Sequence, residues 1–471
     1  MSSPNQLDLN VVGSSAFGRY SKISSENTFN MIISDDCLVP FAGYSKKLTI
    51  KNTGTARGLY SSSKANIMIA VIGDSAYRIS AQLRKSKIGT LASSAGDVFI
   101  DENDNNQIII CDQSQIYVYS YADGSFIHLT SSFLGFTPGY ITFQNGFFIT
   151  PGLGTSQWRL SQINNGTVFP EDAQHVGLLQ TKPDNVVACL RVPSRGNTLI
   201  VMGKTVSELW TDVGGLQFQY KRNTGLNIDY GCLSPATIAT GDEFIIWLGS
   251  NEKSGPAIMM TDGGSVSQIS NDGVNYKLAH LKHPNQSYAF LFKQDGHLFY
   301  QITFSNAEDN ITILYDITTK SFFSLCSPDY NCHIARQVVY FNNKYYFVSF
   351  NDDNLYELSS EYTDADGEEI PRVRICKAIR KKDSTPFSLD AVSITIEQGD
   401  EAELRRVDLS VSTDGGASWG NIVGRELNPL GKRRGMLTYH NIGYANDFTL
   451  QFRFWGHGKF VIINGVAEIG L

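Results

Sequence analysis

The stretch LSVSTDGGASWGN contains the residues whose spacing comes nearest to a known chemical motif. Ser412, Asp414, Gly416 and Trp419 have the spacing of an Asp-box, a hairpin motif known from propeller glycosidases. In that hairpin the serine and aspartate bond the turn backbone, the glycine permits the bend and the tryptophan packs on neighbouring strands. The box itself carries no chemistry, and it occurs once here, outside the repeating region. We interpret it as a hairpin staple.

Other catalytic patterns find little support. Glycosidase carboxylates are paired by their separation in space, which sequence does not give, and Glu368 and Glu369 lie in a charged stretch that is typical of solvated surface. The sequence contains no H-E-x-x-H or G-x-G-x-x-G pattern, and its G-x-S-x-G match, Gly416 to Gly420, lies within the Asp-box hairpin. We therefore expect no enzymatic activity, no catalytic residues, no metal site and no cofactor.

Two basic clusters remain as candidate docking sites. Against an acidic background, such clusters are where an acidic partner or phosphate would bind. The first cluster lies near a predicted domain junction and comprises Arg372, Arg374, Lys377, Arg380, Lys381 and Lys382. The second is Lys432, Arg433 and Arg434 in the stretch NPLGKRRGMLTYHN. We predict interface roles for both, although most charge runs are solvated faces.

The elements that would position these residues are β-strands. Short apolar and aromatic runs such as NIMIAVIGDSAYRIS and QVVYFNNKYYFVSF recur along the chain, and each is followed by a polar turn and a second run. They are strand-length and lack helical periodicity. Asn-Gly and Asp-Gly steps supply the positive φ that tight hairpins need. The units recur at roughly 35 to 57 residues, which suits four-stranded propeller blades.

These patterns predict an all-β protein, a β-propeller of six or seven blades with an additional C-terminal β domain. Residues 1–60 would form an N-terminal arm and closing segment, residues 61–365 the propeller, residues 366–384 a charged linker and residues 385–471 the C-terminal β domain. A pair of β-sandwiches is the alternative architecture. The regular spacing of the units favours the propeller.

Composition limits the function further. Net charge is −7 with 18% charged residues, so the whole molecule lacks the basic field of a nucleic-acid binder. The seven cysteines are odd in number and mostly far apart, which indicates reduced thiols. The N-terminus shows no secretory signal, and no apolar run reaches the ~18 residues of a spanning helix. We expect folding in a cytoplasm and no membrane segment.

One long segment resembles a known family. From Arg195 to Gly264 an apolar strand leads into Gly203 and is followed by a Glu-Leu-Trp step, a glycine turn, a Gly-Cys step and a Trp-Leu-Gly step. The landmarks are Glu208, Leu209, Trp210, Gly214, Gly215, Phe218, Gly231, Cys232, Trp247, Leu248, Gly249, Gly263 and Gly264. In combination they resemble the packaged-DNA stabilisation proteins of short-tailed bacteriophages, the hub or nozzle subunits of their tails. The upstream stretches FNMIISDDCLVPFAGYSKK and TARGLYSSSKANIMIAVIGDSAYRIS are similar to the opening of the same family.

The resemblance implies a structural virion protein that assembles in the bacterial host cytoplasm and becomes part of the tail. Its partners would be further copies in a hexameric ring, the portal and adaptor ring proteins, tail fibres or spikes, and a tail plug. Double-stranded DNA would pass through the lumen without sequence-specific binding, and the ring would close the portal channel until genome ejection. The rival reading is a propeller glycosidase or lectin that acts on surface polysaccharide. An arginine cluster with a Tyr/Glu pair at one propeller mouth would favour that rival.

Overall fold

A computed structural model describes residues 6–20, 26–51, 53–398, 404–427 and 434–470. Antiparallel sheets dominate these ranges, and the helices found there are α1 (Ser131–Leu134), α2 (Asp272–Ala279) and one 3-10 turn (Pro235–Thr237). Within the described ranges, no helix has the length and apolar character needed to cross a membrane. The predicted all-β fold class is confirmed.

Five strands described before the repeating region contribute to two different parts of the fold. They are β1 (Gln6–Leu9), β2 (Asn27–Phe29), β3 (Met31–Ser34), β4 (Cys37–Pro40) and β5 (Gly43–Thr49). Strands β1, β3 and β4 belong to a sheet of the C-terminal half, whereas β5 belongs to the last propeller blade. The first 60 residues, predicted as an arm and closing segment, are therefore shared between the two halves of the molecule.

In the described chain the repeating region forms seven antiparallel blades. Blades 1 and 2 contain β6 (Ala56–Ser62), β7 (Ile67–Ile72), β8 (Ser75–Ser80) and β9 (Lys85–Thr90), then β10 (Phe99–Glu102), β11 (Gln107–Cys111), β12 (Ile116–Ser120) and β13 (Phe126–Leu129). Blades 3 and 4 contain β14 (Thr142–Gln144), β15 (Phe147–Pro151), β16 (Gln157–Leu160) and β17 (Val176–Leu178), then β18 (Val186–Arg191), β19 (Thr198–Gly203), β20 (Ser207–Asp212) and β21 (Tyr220–Ile228). The blade number lies within the predicted range of six or seven.

The remaining three blades follow the same plan with two variations. Blade 5 contains β22 (Gly231–Cys232), β23 (Ala239–Thr240), β24 (Ile245–Ser250), β25 (Ala257–Thr261) and β26 (Val266–Gln268). Blade 6 contains β27 (Ser287–Gln294), β28 (His297–Phe304), β29 (Ile311–Asp316) and β30 (Ser321–Leu325). Blade 7 contains β31 (Ala335–Phe341), β32 (Lys344–Ser349) and β33 (Asn354–Ser359), and β5 is its fourth strand. The inner strand of blade 5 is split into β22 and β23, which both pair with β24.

Apolar cores lie between neighbouring blades, which explains why the central strands read as continuous hydrophobic runs. Ile69 and Val71 of blade 1 pack with Ile108 and Ile110 of blade 2 in one such core. Comparable cores join each following pair of blades, and the core between blades 7 and 1 closes the ring. A strand covered on both faces loses the polar alternation of a half-exposed strand.

Blade 7 closes the propeller with strands from far apart in the sequence. β5 pairs antiparallel with β33, and Tyr44 stands opposite Leu358. The closing strand β5 directly follows β3 and β4, which belong to the C-terminal β domain. The propeller and that domain are therefore joined where the propeller closes. Unfolding the ring at this seam requires breaking a complete strand pair as well as two interblade cores.

The C-terminal region forms a β-sandwich together with strands β1 to β4. It adds β34 (Arg372–Ile375), β35 (Ile379–Arg380), β36 (Phe387–Gln398), β37 (Leu404–Ser412), β38 (Val423–Glu426), β39 (Arg434–Ala445), β40 (Asp447–Gly456) and β41 (Phe460–Ile469). One sheet has the order β3-β4-β41-β36-β39 with β1 on β41, and the other contains β34-β40-β37-β38 with β35 on β40. Core residues such as Val392, Ile394, Phe452 and Phe454 come from both sheets. β34 is a sandwich strand although its sequence falls in the stretch predicted as a charged linker.

The propeller and the sandwich share one continuous sheet. The outer strand of blade 6, β30, pairs parallel with β2, and β2 pairs antiparallel with β34. Asn30, just after β2, is 2% exposed, and its amide bonds the Cys326 carbonyl (3.0 Å), the Cys326 N–H (3.0 Å) and the Pro371 carbonyl (2.8 Å). Its side chain thus extends the hydrogen bonding between the halves past the end of the strand.

Candidate docking surfaces

The predicted basic cluster at the junction is divided by the fold, because Arg374 is buried rather than exposed. Its side chain is 0% exposed and faces the sandwich core from β34, opposite Phe452. All of its bonds are made within the chain. They run from Nε to the Val11 carbonyl (3.0 Å), from Nη1 to the Ser14 carbonyl (3.1 Å) and Thr28 Oγ1 (3.1 Å), and from Nη2 to the Asn10 carbonyl (3.0 Å) and Glu26 Oε1 (2.8 Å). The expectation of a surface position is corrected for this residue.

Arg372 is also removed from the surface. It is 0% exposed, and its guanidinium donates to the Thr363 carbonyl (2.6 Å) and more weakly to the Gly456 carbonyl (3.4 Å). The same group lies 5.9 Å from the ring centroid of Phe460. Burial lowers the pKa of the Arg372 guanidinium to about 10. Sequence reasoning placed both arginines in solvent because charge normally marks surface, whereas these two bind backbone carbonyls inside the sandwich.

The other members of the first cluster stay at or near the surface. Lys377 and Lys382 are exposed, whereas Arg380 and Lys381 are half-buried. Arg380 Nε lies 3.4 Å from Asp447 Oδ2, and Lys381 Nζ lies 5.7 Å from the ring centroid of Phe387. A docking role for this cluster therefore rests on Lys377 and Lys382, with Arg380 and Lys381 held closer to the sandwich.

The second cluster begins the edge strand β39. Lys432 and Arg433 lie outside the described residues. The Arg434 side chain is 67% exposed, and its Nη2 lies 3.0 Å from Glu397 Oε2 on the neighbouring strand β36. An exposed pair of this kind contributes little to stability, so Arg434 remains available to an acidic partner.

Exposed apolar side chains on two edge strands were not predicted from the sequence. β38 and β39 lie at the edges of their two sheets. Four large apolar side chains on or beside them are exposed, namely Ile422 (63%), Val423 (44%), Met436 (66%) and Tyr444 (73%). Exposed edge strands and clustered apolar groups are features of protein interfaces. These residues are exposed because their strands lie at sheet edges. Local sequence patterns do not show which strands will be edge strands, so the exposure could not be predicted.

The axis of the propeller is filled by side chains. The cavity there has a volume of about 100 Å³ and is lined by residues on or just before the inner strands, including Arg57, Tyr140, Tyr288 and Gln337. At ~30 Å³ per water molecule, this space holds a few waters. A DNA duplex cannot pass along this axis, so any DNA path lies outside the single subunit.

The arginines at this axis are used by the chain itself. Arg57 is 3% exposed and donates to the carbonyls of Gly96 (2.8 Å), Gly73 (3.0 Å) and Ser93 (2.8 Å), and burial lowers the pKa of its guanidinium. Arg336 forms an ion pair with Asp97. Neither arginine is left to hold a substrate carboxylate, which is what the rival glycosidase reading requires of a propeller mouth.

The Asp-box forms the staple that the sequence predicts. Ser412 Oγ donates to Asp414 Oδ1 (2.7 Å) and accepts from the Gly416 N–H (2.8 Å), while Asp414 accepts from the Ser418 N–H (2.9 Å) and hydroxyl (2.5 Å). Gly416 has a φ of 92°, which a residue with a Cβ rarely adopts. These bonds hold the pKa of the exposed Asp414 carboxyl below its usual range. Every contact serves the turn between β37 and β38.

Comparison with known proteins identifies one family. A family model described as bacteriophage P22 Gp10, beta-propeller, matches residues 26–363, which is more than half of the chain. No curated protein sequence is similar to the chain. The match includes the sequence segment that suggested phage tail hubs, and it confirms that resemblance.

Several solved structures show a distant likeness to the chain. A streptogramin B lyase shares 13% identity with a TM-score of 0.43, covering 68% of this chain and 97% of its own. A catalytically inactive virginiamycin B lyase from Staphylococcus aureus with quinupristin shares 12% identity with a TM-score of 0.46, covering 67% and 98%. The N-terminal domain of Nup159 shares 12% identity with a TM-score of 0.42, covering 71% and 99%. Likenesses at this level carry no functional argument.

Proposed function

Because the chain belongs to the phage-stabilisation family of β-propeller proteins described for bacteriophage P22 Gp10, we propose that it is a tail hub or nozzle subunit of a short-tailed phage. In this role it is a structural virion component that closes the portal channel after packaging and later forms part of the conduit for genome ejection. The observation that carries the proposal is the family match over residues 26–363.

The filled propeller axis supports a conduit built between subunits. Since a cavity of about 100 Å³ leaves no room for a duplex, a DNA channel requires several copies around a shared axis. A closed ring of identical subunits uses heterologous contacts, in which one surface of a copy meets a different surface of the next. Hexameric symmetry is the arrangement that we propose, with portal and adaptor rings above and fibres, spikes or a plug attached.

The negative net charge of the subunit supports a role in a conduit that does not retain DNA. With a net charge of −7, the subunit as a whole repels phosphate. The DNA then slides through without counterion release to hold it in place. The basic residues around β39 are the exception, and we propose that they contact an acidic surface of a neighbouring copy.

A charge-reversal experiment tests this contact. The variant in which Lys432, Arg433 and Arg434 are all replaced by Glu should weaken ring assembly, because attraction between copies becomes repulsion. Assembly is followed by sedimentation velocity over a range of salt concentrations. Unchanged assembly of the triple variant would contradict the interface assignment.

A second variant separates the interface from the pair inside the chain. Arg434→Glu breaks the 3.0 Å pair with Glu397, and adding Glu397→Arg restores that pair with reversed polarity. If Arg434 acts between copies, the double swap still assembles poorly. Recovery of assembly in the double swap would assign the effect to the internal pair instead.

A further inference from the structure

Three residues from distant parts of the chain form a continuous hydrogen-bonded series. Ser34 ends β3 of the sandwich, while His297 begins β28 and Asp316 ends β29 in blade 6. Ser34 Oγ lies 3.2 Å from His297 Nε2, and His297 Nδ1 lies 2.8 Å from Asp316 Oδ2. This is the order of atoms found in serine hydrolases, in which a buried carboxylate orients the imidazole that deprotonates the serine.

The carboxylate in this series is itself held in place. Asp316 is 0% exposed and accepts further bonds from the Thr318 N–H (2.9 Å) and the Thr319 hydroxyl (2.7 Å). The His297 ring stacks on Phe299 with centroids 5.8 Å apart. Because Nδ1 donates to the carboxylate, the neutral ring presents the Nε2 lone pair to the serine hydroxyl. The fold thereby fixes the tautomer that a general base needs.

The serine is accessible from a cleft between the sandwich and the propeller. Ser34 is half-buried and lines a cavity of about 360 Å³, which is within the usual size of small-molecule sites. Other residues at this cleft are Asp295, Ser360, Glu361, Arg372 and Lys459. A cleft of this volume admits a compact acyl substrate.

Hydrogen-bond donors for a developing oxyanion lie next to the serine. Asp35 and Asp36, which follow it, have φ values of 49° and 58°, and their backbone N–H groups bond no acceptor in the described part of the chain. The N–H after the nucleophile is a frequent oxyanion donor in hydrolases. Arg372 Nε, also at this cleft, is buried with no hydrogen-bond partner among the described residues. The Asp35 N–H and Arg372 Nε, which belong to residues that line the cleft, are the candidate oxyanion donors.

From this geometry we propose that Ser34 is a nucleophile that hydrolyses small neutral or cationic carboxylic esters, with His297 as its general base and Asp316 as the positioning residue. The activity would be additional to the structural role and does not depend on ring assembly. Anionic esters are disfavoured because the three carboxylates at the cleft, Asp35, Asp295 and Glu361, outnumber the two cations, Arg372 and Lys459.

The reaction proceeds in two balanced steps. His297 Nε2 takes the Ser34 hydroxyl proton as Oγ bonds the acyl carbon, and the alcohol leaves with that proton when the C–O ester bond breaks. Water then gives a proton to Nε2 while its oxygen bonds the acyl carbon. The carboxylic acid is released and the proton returns to Ser34 Oγ. The net change is ester plus water to acid plus alcohol.

The test uses the full chain and a fluorophosphonate probe, which bonds a serine Oγ with loss of fluoride. We expect a phosphonyl adduct at Ser34 by peptide mass mapping, and turnover of p-nitrophenyl acetate above the buffer rate. Ser34→Ala should abolish both signals. His297→Gln should slow labelling by about 100-fold or more, the usual range for a general base.

Ser114→Ala is the matched control. Ser114 is half-buried like Ser34, but it lies outside the cleft and its hydroxyl bonds Asp112 (2.8 Å) instead of a histidine, so this variant should label like the wild type. Thermal unfolding of each variant confirms that it is folded. Labelling of Ser34 no faster than that of Ser114, or equal ester turnover in Ser34→Ala, would overturn the proposal. In that case the three residues act only as a structural link between the halves.

Discussion

At the scale of single residues, the buried guanidinium of Arg374 connects the N-terminal segment to the C-terminal sandwich. Arg374 reaches from β34 to the carbonyls of Asn10, Val11 and Ser14, so one guanidinium fixes an irregular N-terminal segment against the C-terminal sandwich. Its charge is balanced by Glu26 at 2.8 Å. A buried charge with all its donors satisfied is tolerated, whereas breaking such a group is costly.

Replacing this arginine should destabilise the protein strongly. Arg374→Met leaves Glu26 without its cation and several carbonyls without donors, so we expect a loss of about 3–5 kcal/mol in the free energy of unfolding. Lys377→Met, in the same predicted cluster but exposed, should change it by less than about 0.5 kcal/mol. Urea unfolding followed by tryptophan fluorescence measures both. Equal losses in the two variants would contradict the assigned role.

A buried histidine gives the protein a predictable pH dependence. His333 is 4% exposed, its Nδ1 accepts from the Ala335 N–H (3.2 Å), and its ring lies among Phe41, Tyr44 and Phe347. Burial lowers the pKa of this imidazole to about 4. Between pH 6.5 and 4, the His333 imidazole is protonated in the unfolded chain but neutral in the folded chain. The stability that comes from burying the neutral ring is therefore fully present above pH 6.5 and is lost as the pH falls towards 4.

His333→Gln should reduce this loss of stability in acid. Between pH 6.5 and 4 the wild type should lose on the order of 3 kcal/mol more in its free energy of unfolding than the variant. The exposed His128→Gln serves as the control and should follow the wild type. The measurement is urea unfolding of the three proteins across this pH range. If their free energies of unfolding fall in parallel as the pH is lowered, the prediction is refuted.

At the scale of elements, local patterns predicted the blades but not the pairing at the junction. Ile67–Ile72 and similar runs reveal buried strands directly, and Asn145 with Gly146 forms a turn with φ values of 50° and 91°, as its sequence indicates. β2 pairs with β30 and β34, and β4 pairs with β41; these partners lie hundreds of residues away, and no local periodicity indicates them. For the same reason Arg372 and Arg374 were predicted at the surface.

The hydrogen bonds of Asn30 should account for much of the stability of that junction. Asn30→Ala removes three buried bonds to Cys326 and Pro371, with an expected cost of about 3 kcal/mol. Asn441→Ala is a control with matched backbone strain, since the two asparagines have φ values of 53° and 58° and Asn441 is exposed. Calorimetry should show a marked fall in Tm for Asn30→Ala alone. Similar falls in both variants would assign the effect to backbone strain.

At the scale of the whole molecule, the propeller axis is filled and the net charge is negative. These features suit the wall of a DNA conduit better than a DNA-binding surface. Composition and the family-like segment were sufficient to predict the fold class and the phage-stabilisation family. The exposed apolar side chains on or beside β38 and β39 were not predictable, because an edge is defined only once both sheets are assembled. The ring and its neighbours remain proposals that rest on the family and on these surfaces.

The subunit should bind duplex DNA weakly and without sequence preference. With a net charge of −7, we expect a Kd no tighter than ~10⁻⁴ M at physiological salt. Fluorescence anisotropy with labelled duplexes of different sequence provides the measurement. Micromolar binding that falls steeply between ~50 and ~200 mM salt would point instead to a DNA-gripping protein.

We propose above all that this chain assembles into a ring on the phage portal. The most direct measurement is the mass of the purified protein by light scattering, alone and with a portal–adaptor complex, followed by negative-stain imaging of the large species. We predict a closed ring in at least one of the two samples, with hexameric symmetry. A monomer in both samples, indifferent to the portal complex, would contradict the account.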